Sequence, residues 1–324
     1  MLAPGDASIL WALYTLRYAR SGQLHRYLDR NGKSIRRRIH DCLAPEGLVI
    51  SLRRRPVEEA AYALGPKGFD FIAAEFGIEA TEIPYSRQVS QDVVESIFWR
   101  HTLAINDVRI AFEKAVDGHA ALVLDQFVPE WHLADPRATQ PEKKFALRER
   151  LASEGGGKPV SFRPDAMMLF YPRAMPGVPN TGAEHKVACF LELDRKSESI
   201  RPIIERKIEA YRRYWVKARM RRHGASWMKC LFVLDGVKSK RRSTNMQAEL
   251  QRIAILLDPK NPTATGPQGV PAGPAAFVHA FLFCHADNLL ASSNANPRGV
   301  VDDPIWEDWL GHPRAFFKPR TQES

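Results

Sequence analysis

Two short apolar runs with carboxylates at their ends constrain this chain most. Arg163-Pro164-Asp165-Ala166 opens the run from Asp165 to Tyr171, and Phe190-Leu191-Glu192-Leu193-Asp194-Arg195 closes the run from Val187 to Leu193. Runs of this length read as strands, and strands this apolar need cover on both faces. Residues i and i+2 of a strand share a face, so Glu192 and Asp194 point the same way. If the two strands pair antiparallel, the start of one meets the end of the other and Asp165 joins them. Three carboxylates so gathered repel one another, and a hard cation such as Mg²⁺ or Mn²⁺, which prefers oxygen ligands, offsets that repulsion. The spacing fits equally well with strand-end acids that face water or bind Arg163 and Arg195.

The helix expected from Ser199 to Arg222 shifts that balance. Its apolar stripe of Ile200, Ile203, Ile204, Ile208, Tyr211, Tyr214 and Trp215 carries Lys207 near its centre. Such a lysine either snorkels to water or reaches the carboxylates, where it would orient a water or steady a developing negative charge. Tyr211, one turn along, needs a hydroxyl partner if buried; core and nucleophile roles both stay open. The candidate catalytic set is therefore Asp165, Glu192, Asp194 and Lys207, with Asp165, Glu192 and Asp194 as metal ligands. Tyr211 is a candidate accessory group. So is His101, which lies within the apolar stripe of a long helix (Val93, Val94, Ile97, Ala104, Ile105, Val108, Ala111, Phe112, Ala115) and is equally a satisfied core histidine.

Charge points to a polyanion. The chain has a formal net charge of +10, yet from Ser199 to Asn245 alone fourteen Lys/Arg face three Asp/Glu. The positive potential thus lies directly after the carboxylates, where a phosphate backbone would run, with Arg212, Arg213, Lys240 and Arg241 as candidate contacts. Cys42, Cys189, Cys230 and Cys284 lack the spacing of a zinc site or disulfide framework. No apolar run is long enough to span a bilayer and no signal peptide opens the chain, so no membrane partner and a cytoplasmic location are expected.

The N-terminal quarter has its own pattern. Helices are expected at Ser8 to Arg17, at Ser21 to Leu28 with Ser21 as cap, and at Lys33 to Leu43 capped by Asn31. Leu48 to Leu52 and Ala60 to Leu64 then read as a hairpin around Arg53-Arg54-Arg55-Pro56. Three helices and a hairpin make a winged helix-turn-helix. Its basic clusters, Lys33, Ser34, Arg36, Arg37 and Arg38 on the third helix and Arg53, Arg54 and Arg55 at the wing, sit where double-stranded DNA is approached; a solvated basic face on a protein-binding module is the other reading. A helix opened by Gly65-Pro66-Lys67-Gly68 packs on this domain or forms a homodimer.

The expected organisation is a winged helix over 1–80, a linker over 81–92, a mixed-sheet domain over 93–290 and a tail over 291–324. The second domain reads as a helix, a strand at Ala121 to Val128, a polar loop from His132 to Ser161, the two acidic strands, the basic helix, and a strand at Cys230 to Leu234. A helix from Thr244 to Leu257, a Pro/Gly linker and a strand at Ala276 to Phe283 follow. The fold class is α/β (α+β), with an αβββαβ core under one mixed sheet.

That order, with Pro164-Asp165 on one strand and Glu192-Leu193-Asp194 on the next, resembles the PD-(D/E)XK nuclease superfamily. Asp194 stands where that superfamily usually has lysine, and Lys207 looks like a migrated substitute. A closer resemblance is to the replication-relaxation family of plasmids and integrative elements. His101-Thr102-Leu103-Ala104-Ile105-Asn106-Asp107-Val108, Arg163-Pro164-Asp165-Ala166, Phe190 to Arg195 and Lys207-Ile208-Glu209-Ala210-Tyr211 look like its landmarks. The resemblance implies a role on mobile DNA, in copy control or in relaxase-like nicking at a plasmid or element origin. It leaves open whether the chain cuts or only binds.

Overall fold

A computed structural model of the chain describes residues 3–317 apart from 4, 54–57, 80–81, 86–96, 154–156, 175–181, 195–199, 237–238, 265–272 and 274. The architecture is mixed α/β, and the chain divides into two compact units. The first unit comprises Met1–Ile110 with Leu133–Arg137, and the second Ala111–His132 with Ala138–Ser324.

The first unit opens with α1 (Asp6–Leu16), a short strand β1 (Ala19–Arg20), α2 (Ser21–Leu28) and α3 (Gly32–Arg38). Asn31 caps α3, its Oδ1 accepting from the amides of Lys33 and Ser34. Ser21 is not the cap of α2: Gln23 Oε1 accepts from the Arg20 amide, while the Ser21 hydroxyl donates to Glu59. Regular α-helix ends at Arg38 and a wider turn, Ile39–Leu43, carries the chain to β2 (Val49–Leu52) and β3 (Ala61–Leu64). β3 pairs antiparallel with both β2 and β1, so a strand too short to leave a sequence signal completes the sheet. Pro66 begins α4 (Pro66–Phe76), which crosses the start of β2 so closely that a Cβ on Gly68 would lie 2.1 Å from the Leu48 carbonyl oxygen. Only glycine fits there.

Helix α5 (Ile97–Val116) starts in the first unit and ends in the second. Val93 and Val94 lie outside the described residues. The stripe carries a polar residue: Asn106 is buried and donates to the carbonyls of Leu16, the last residue of α1, and of Tyr18 just beyond it. Gln23 donates to the Leu103 carbonyl and Arg26 pairs with Asp107, while Trp99 and Leu103 pack on Tyr18, Leu52 and Ala63. The first half of α5 therefore belongs with the N-terminal helices.

In the second unit, β4 (Leu122–Pro129) leads to a segment expected as polar loop. It contains a one-turn helix, α6 (Pro141–Lys144), and an antiparallel hairpin, β5 (Glu149–Leu151) with β6 (Val160–Phe162). Next come β7 (Ala166–Pro172), β8 (Val187–Asp194), α7 (Ile200–Val216), β9 (Trp227–Leu234) and α8 (Ser239–Leu257). Residues 276–280, expected as strand, form a 3-10 turn before β10 (Phe281–His285). The C-terminal segment is part of the fold: after α9 (Ala286–Ala295) and α10 (Gly299–Asp302), β11 (Trp306–Glu307) and β12 (Pro313–Arg314) extend the sheet.

Among the described residues this sheet has seven strands in the order β12-β11-β10-β9-β8-β7-β4. β8, β9 and β10 run parallel, and β7 lies antiparallel between β8 and β4. The ends of β4, β8, β9 and β10 and the start of β7 thus share one edge. Alternation buries both faces. Met167, Leu169, Phe190, Cys230 and Phe232 face α7 and α8, where Ile208, Tyr211, Met246 and Leu250 cover them. On the other face Phe112, Phe170, Trp306 and Phe316 form an aromatic cluster with neighbouring ring centroids 5.1–6.1 Å apart.

Candidate functional site

The strand register builds a row of acids. Pro129 faces Ala166, so the next step pairs Glu130 with Asp165, and Ala166 faces Leu191, which sets Asp165 at the end of β8 that carries Glu192. The Glu130 amide continues the first ladder by donating to the Asp165 carbonyl at 2.8 Å, while the Asp165 amide donates to the Leu191 carbonyl at 2.9 Å. Directly opposed residues in antiparallel strands project from the same face. Carboxylate oxygens of Glu130 and Asp165 lie within 4.8 Å of one another. Glu130 also pairs with Arg163 at 2.8 Å, and one oxygen of Asp165 accepts the Leu193 amide at 2.6 Å.

Glu192 is 2% exposed and is held from α7. Lys207 Nζ donates to its Oε2, and the Tyr211 hydroxyl donates to its Oε1 at 2.8 Å. Burial, reinforced by the charge of Asp165 and opposed by Lys207, pushes the Glu192 carboxyl up to about 7. Burial acts to lower Lys207, but Glu192 and Asp165 outweigh it and hold the ammonium charged. Tyr211 is pushed well above the ordinary phenol range, first by burial and then by the Glu192 charge. A phenol held neutral this firmly serves as a donor to the carboxylate.

Asp165, Glu192, Lys207 and Tyr211 are thus brought together. Asp194 is engaged elsewhere: Arg242 on α8 binds it in a fork, Nη2 to Oδ1 at 2.7 Å and Nε to Oδ2. His101 lies on α5 in the first unit, half-buried. Glu130 and Arg242 are functional candidates that sequence reasoning missed. Glu130 follows a strand whose register no local pattern reveals, and Arg242 directly follows Lys240 and Arg241 in a basic run, with no local signal that it turns inward.

Glu130 and Asp165 offer carboxylate oxygens, within 4.8 Å of one another, of the kind a hard divalent cation takes. Each Glu192 oxygen keeps a second lone pair beside its bond to Lys207 or Tyr211. Glu130 and Asp165 suit the cation best, with Glu192 beside them. Asp194 is drawn instead to α8, where one guanidinium binds both of its oxygens.

The basic surface is divided between structure and solvent. On α3, Lys33, Ser34, Arg36 and Arg37 are exposed, as is Arg53 at the end of β2; Arg54 and Arg55 lie outside the described residues. Arg38 instead turns to the buried Asp6, Nε to Oδ1 at 2.8 Å and Nη2 to Oδ2 at 2.7 Å, and holds that carboxyl below its usual range. On α7, Arg212 and Arg213 both pair with Glu209. Arg213 and Lys217 also donate to the carbonyls of Lys158 and Ala152, and Arg219 and Arg222 pair with Glu149. These cations fasten the β5–β6 hairpin over the helix. Arg206, Lys240 and Arg241 remain exposed.

No curated protein and no solved structure matches the chain. Residues 10–226 match the family model described as replication-relaxation, a span that contains α3, the whole acidic row, Lys207 and Tyr211, and the chain belongs to the replication-relaxation family.

Proposed function

We propose that this chain is a DNA-binding protein acting in the replication or mobilisation of a mobile element, with a first unit that reads duplex DNA as a winged helix. Its second unit, in this reading, is a PD-(D/E)XK-like domain that nicks a strand with Mg²⁺ or Mn²⁺. The observation that carries the proposal is the gathering of Glu130, Asp165 and Glu192 at the ends of three adjacent strands, with Lys207 held cationic beside Glu192. Family membership supports the setting on mobile DNA.

Glu130 and Asp165 would hold the cation, with Glu192 completing the oxygen set. Bound there, a divalent cation makes water a stronger nucleophile and neutralises charge on the scissile phosphate. Tyr211 fixes the Glu192 carboxylate in one orientation. Lys207, about one-third exposed on its side chain, faces both the acids and solvent, so its ammonium can orient a water or meet the developing charge on the phosphoryl oxygens. Lys33, Ser34, Arg36, Arg37 and Arg53 would contact the duplex from the first unit.

Supercoiled plasmid carrying the element's origin, incubated with protein and Mg²⁺ or Mn²⁺, tests the catalytic claim. Nicked product that disappears in Asp165→Ala, while DNA binding persists, is expected. Absence of product with the wild type, or full activity of the variant, sinks it. A second reading, a non-catalytic regulator that keeps the fold as a binding platform, is favoured by one feature: Asp194 stands where a lysine is expected, neutralised by Arg242. Calorimetry separates the two, since a pure binder shows no Mg²⁺ affinity that depends on Asp165.

A further inference from the structure

We propose that Asp194 and Arg242 are a positioning pair, which fixes the first turn of α8 at the end of β8 so that Lys240 and Arg241 face a DNA phosphate beside the acidic row. This rests on the reading that the second unit works on DNA. Arg242 is 9% exposed, and a guanidinium that deeply buried needs a partner matching its planar fork. Asp194 supplies one, bound at both oxygens. The same turn is tied to the end of β10, where Ser239 Oγ and His285 Nδ1 lie 2.9 Å apart. The Ser243 hydroxyl closes the turn on the Lys240 carbonyl at 2.9 Å, and the Asp235 amide joins the end of β9 to the Asp194 carbonyl at 2.9 Å.

Helix geometry does the rest. Successive residues turn by about 100°, so when Arg242 points into the sheet edge, Arg241 and Lys240 are carried round towards solvent. Both are exposed. β8 ends at Asp194, two residues beyond Glu192, so these free cations stand at the edge that carries the acids. Among the described residues, several cations of α7 and of the turn after it are spent on Glu209 and the β5–β6 hairpin, whereas Lys240 and Arg241 at the start of α8 are exposed. Asp194 therefore acts through Arg242 on DNA placement rather than on the metal.

The test uses the full chain and four variants: Asp194→Asn, Arg242→Gln, the exchange Asp194→Arg with Arg242→Asp, and Lys240→Ala with Arg241→Ala. Mg²⁺ affinity is read by calorimetry, and affinity for an origin duplex is read against salt. Loss of both surface cations should lower the salt slope by about 2. Asp194→Asn and Arg242→Gln should lower it comparably, with no further loss when Asp194→Asn is combined with the surface pair, and the charge exchange should restore most of the slope. Mg²⁺ affinity of Asp194→Asn should stay within about twofold of wild type, a margin of about 0.4 kcal/mol. A tenfold loss of Mg²⁺ affinity would make Asp194 a ligand and overturn the proposal. A wild-type slope in the surface pair, which folds independently of the buried pair, overturns it as well, while leaving DNA binding itself intact. If the wild type takes no Mg²⁺ the catalytic reading fails and the salt slopes still decide; if it binds no DNA, both readings fall.

Discussion

Replacing Tyr211 by Phe removes one oxygen from the centre of the site and tests what that hydroxyl does. In the folded chain it donates to Glu192 Oε1 at 2.8 Å, and both residues are 2% exposed. The ring would stay in place, packed against Phe162 and Phe281 with centroids 5.1 and 5.9 Å away, so no cavity opens. What is lost is a buried hydrogen bond to a carboxylate, worth about 1.5–3 kcal/mol. For a unit of roughly 200 residues each kcal/mol moves the midpoint by about 2–4 °C, so Tm of the second unit should fall by about 3–12 °C. Circular dichroism melts at neutral pH, with urea titrations to check that the m-value is unchanged, give the number. A loss below about 0.5 kcal/mol would show that the hydroxyl is not a buried donor to Glu192. Loss of nicking at unchanged stability would refute the assignment more directly, because it would place the phenol among the reacting atoms.

The buried Asp6 carboxyl is held below its ordinary value of 3.8 by Arg38, so its stabilisation is complete above that value and is lost as pH falls through the lower folded one. Melts from about pH 5 to pH 2 should therefore show a steeper acid loss in wild type than in Asp6→Asn; equal slopes would refute the pairing. Lys33→Ala and Arg37→Ala should each weaken DNA binding across sequences and lower the salt slope by about 1, as measured by fluorescence anisotropy. Trp306 is fully buried and its indole N–H donates to the Val300 carbonyl at 2.9 Å, so Trp306→Ala should cost about 3–5 kcal/mol in urea unfolding. A near-neutral result would mean that the C-terminal strands are not part of the sheet.

Much of the fold was legible because its signals are local. The runs that became β7 and β8 are apolar over whole strands, and Asn31 offers its side chain to the next two amides without help from the rest of the chain. The β5–β6 hairpin was not legible: its strands are only three residues each, and they are held by cations on α7 and the turn that follows it, far along the sequence. The same limit hid β1 and the extension of the sheet by Trp306–Glu307 and Pro313–Arg314.

For the site, sequence alone determined that Glu192 and Asp194 share a face and that Lys207 sits within the apolar stripe of its helix, since strand alternation and helical periodicity are properties of consecutive residues. The tertiary structure alone decided which acids meet. Register puts Glu130, absent from any sequence motif, beside Asp165, and the packing of α8 hands Asp194 to Arg242. A charge pattern gives the number of cations in a stretch, but the partner of each is set through space, by whichever carboxylate the fold brings within hydrogen-bond reach of a buried group that cannot remain unpaired.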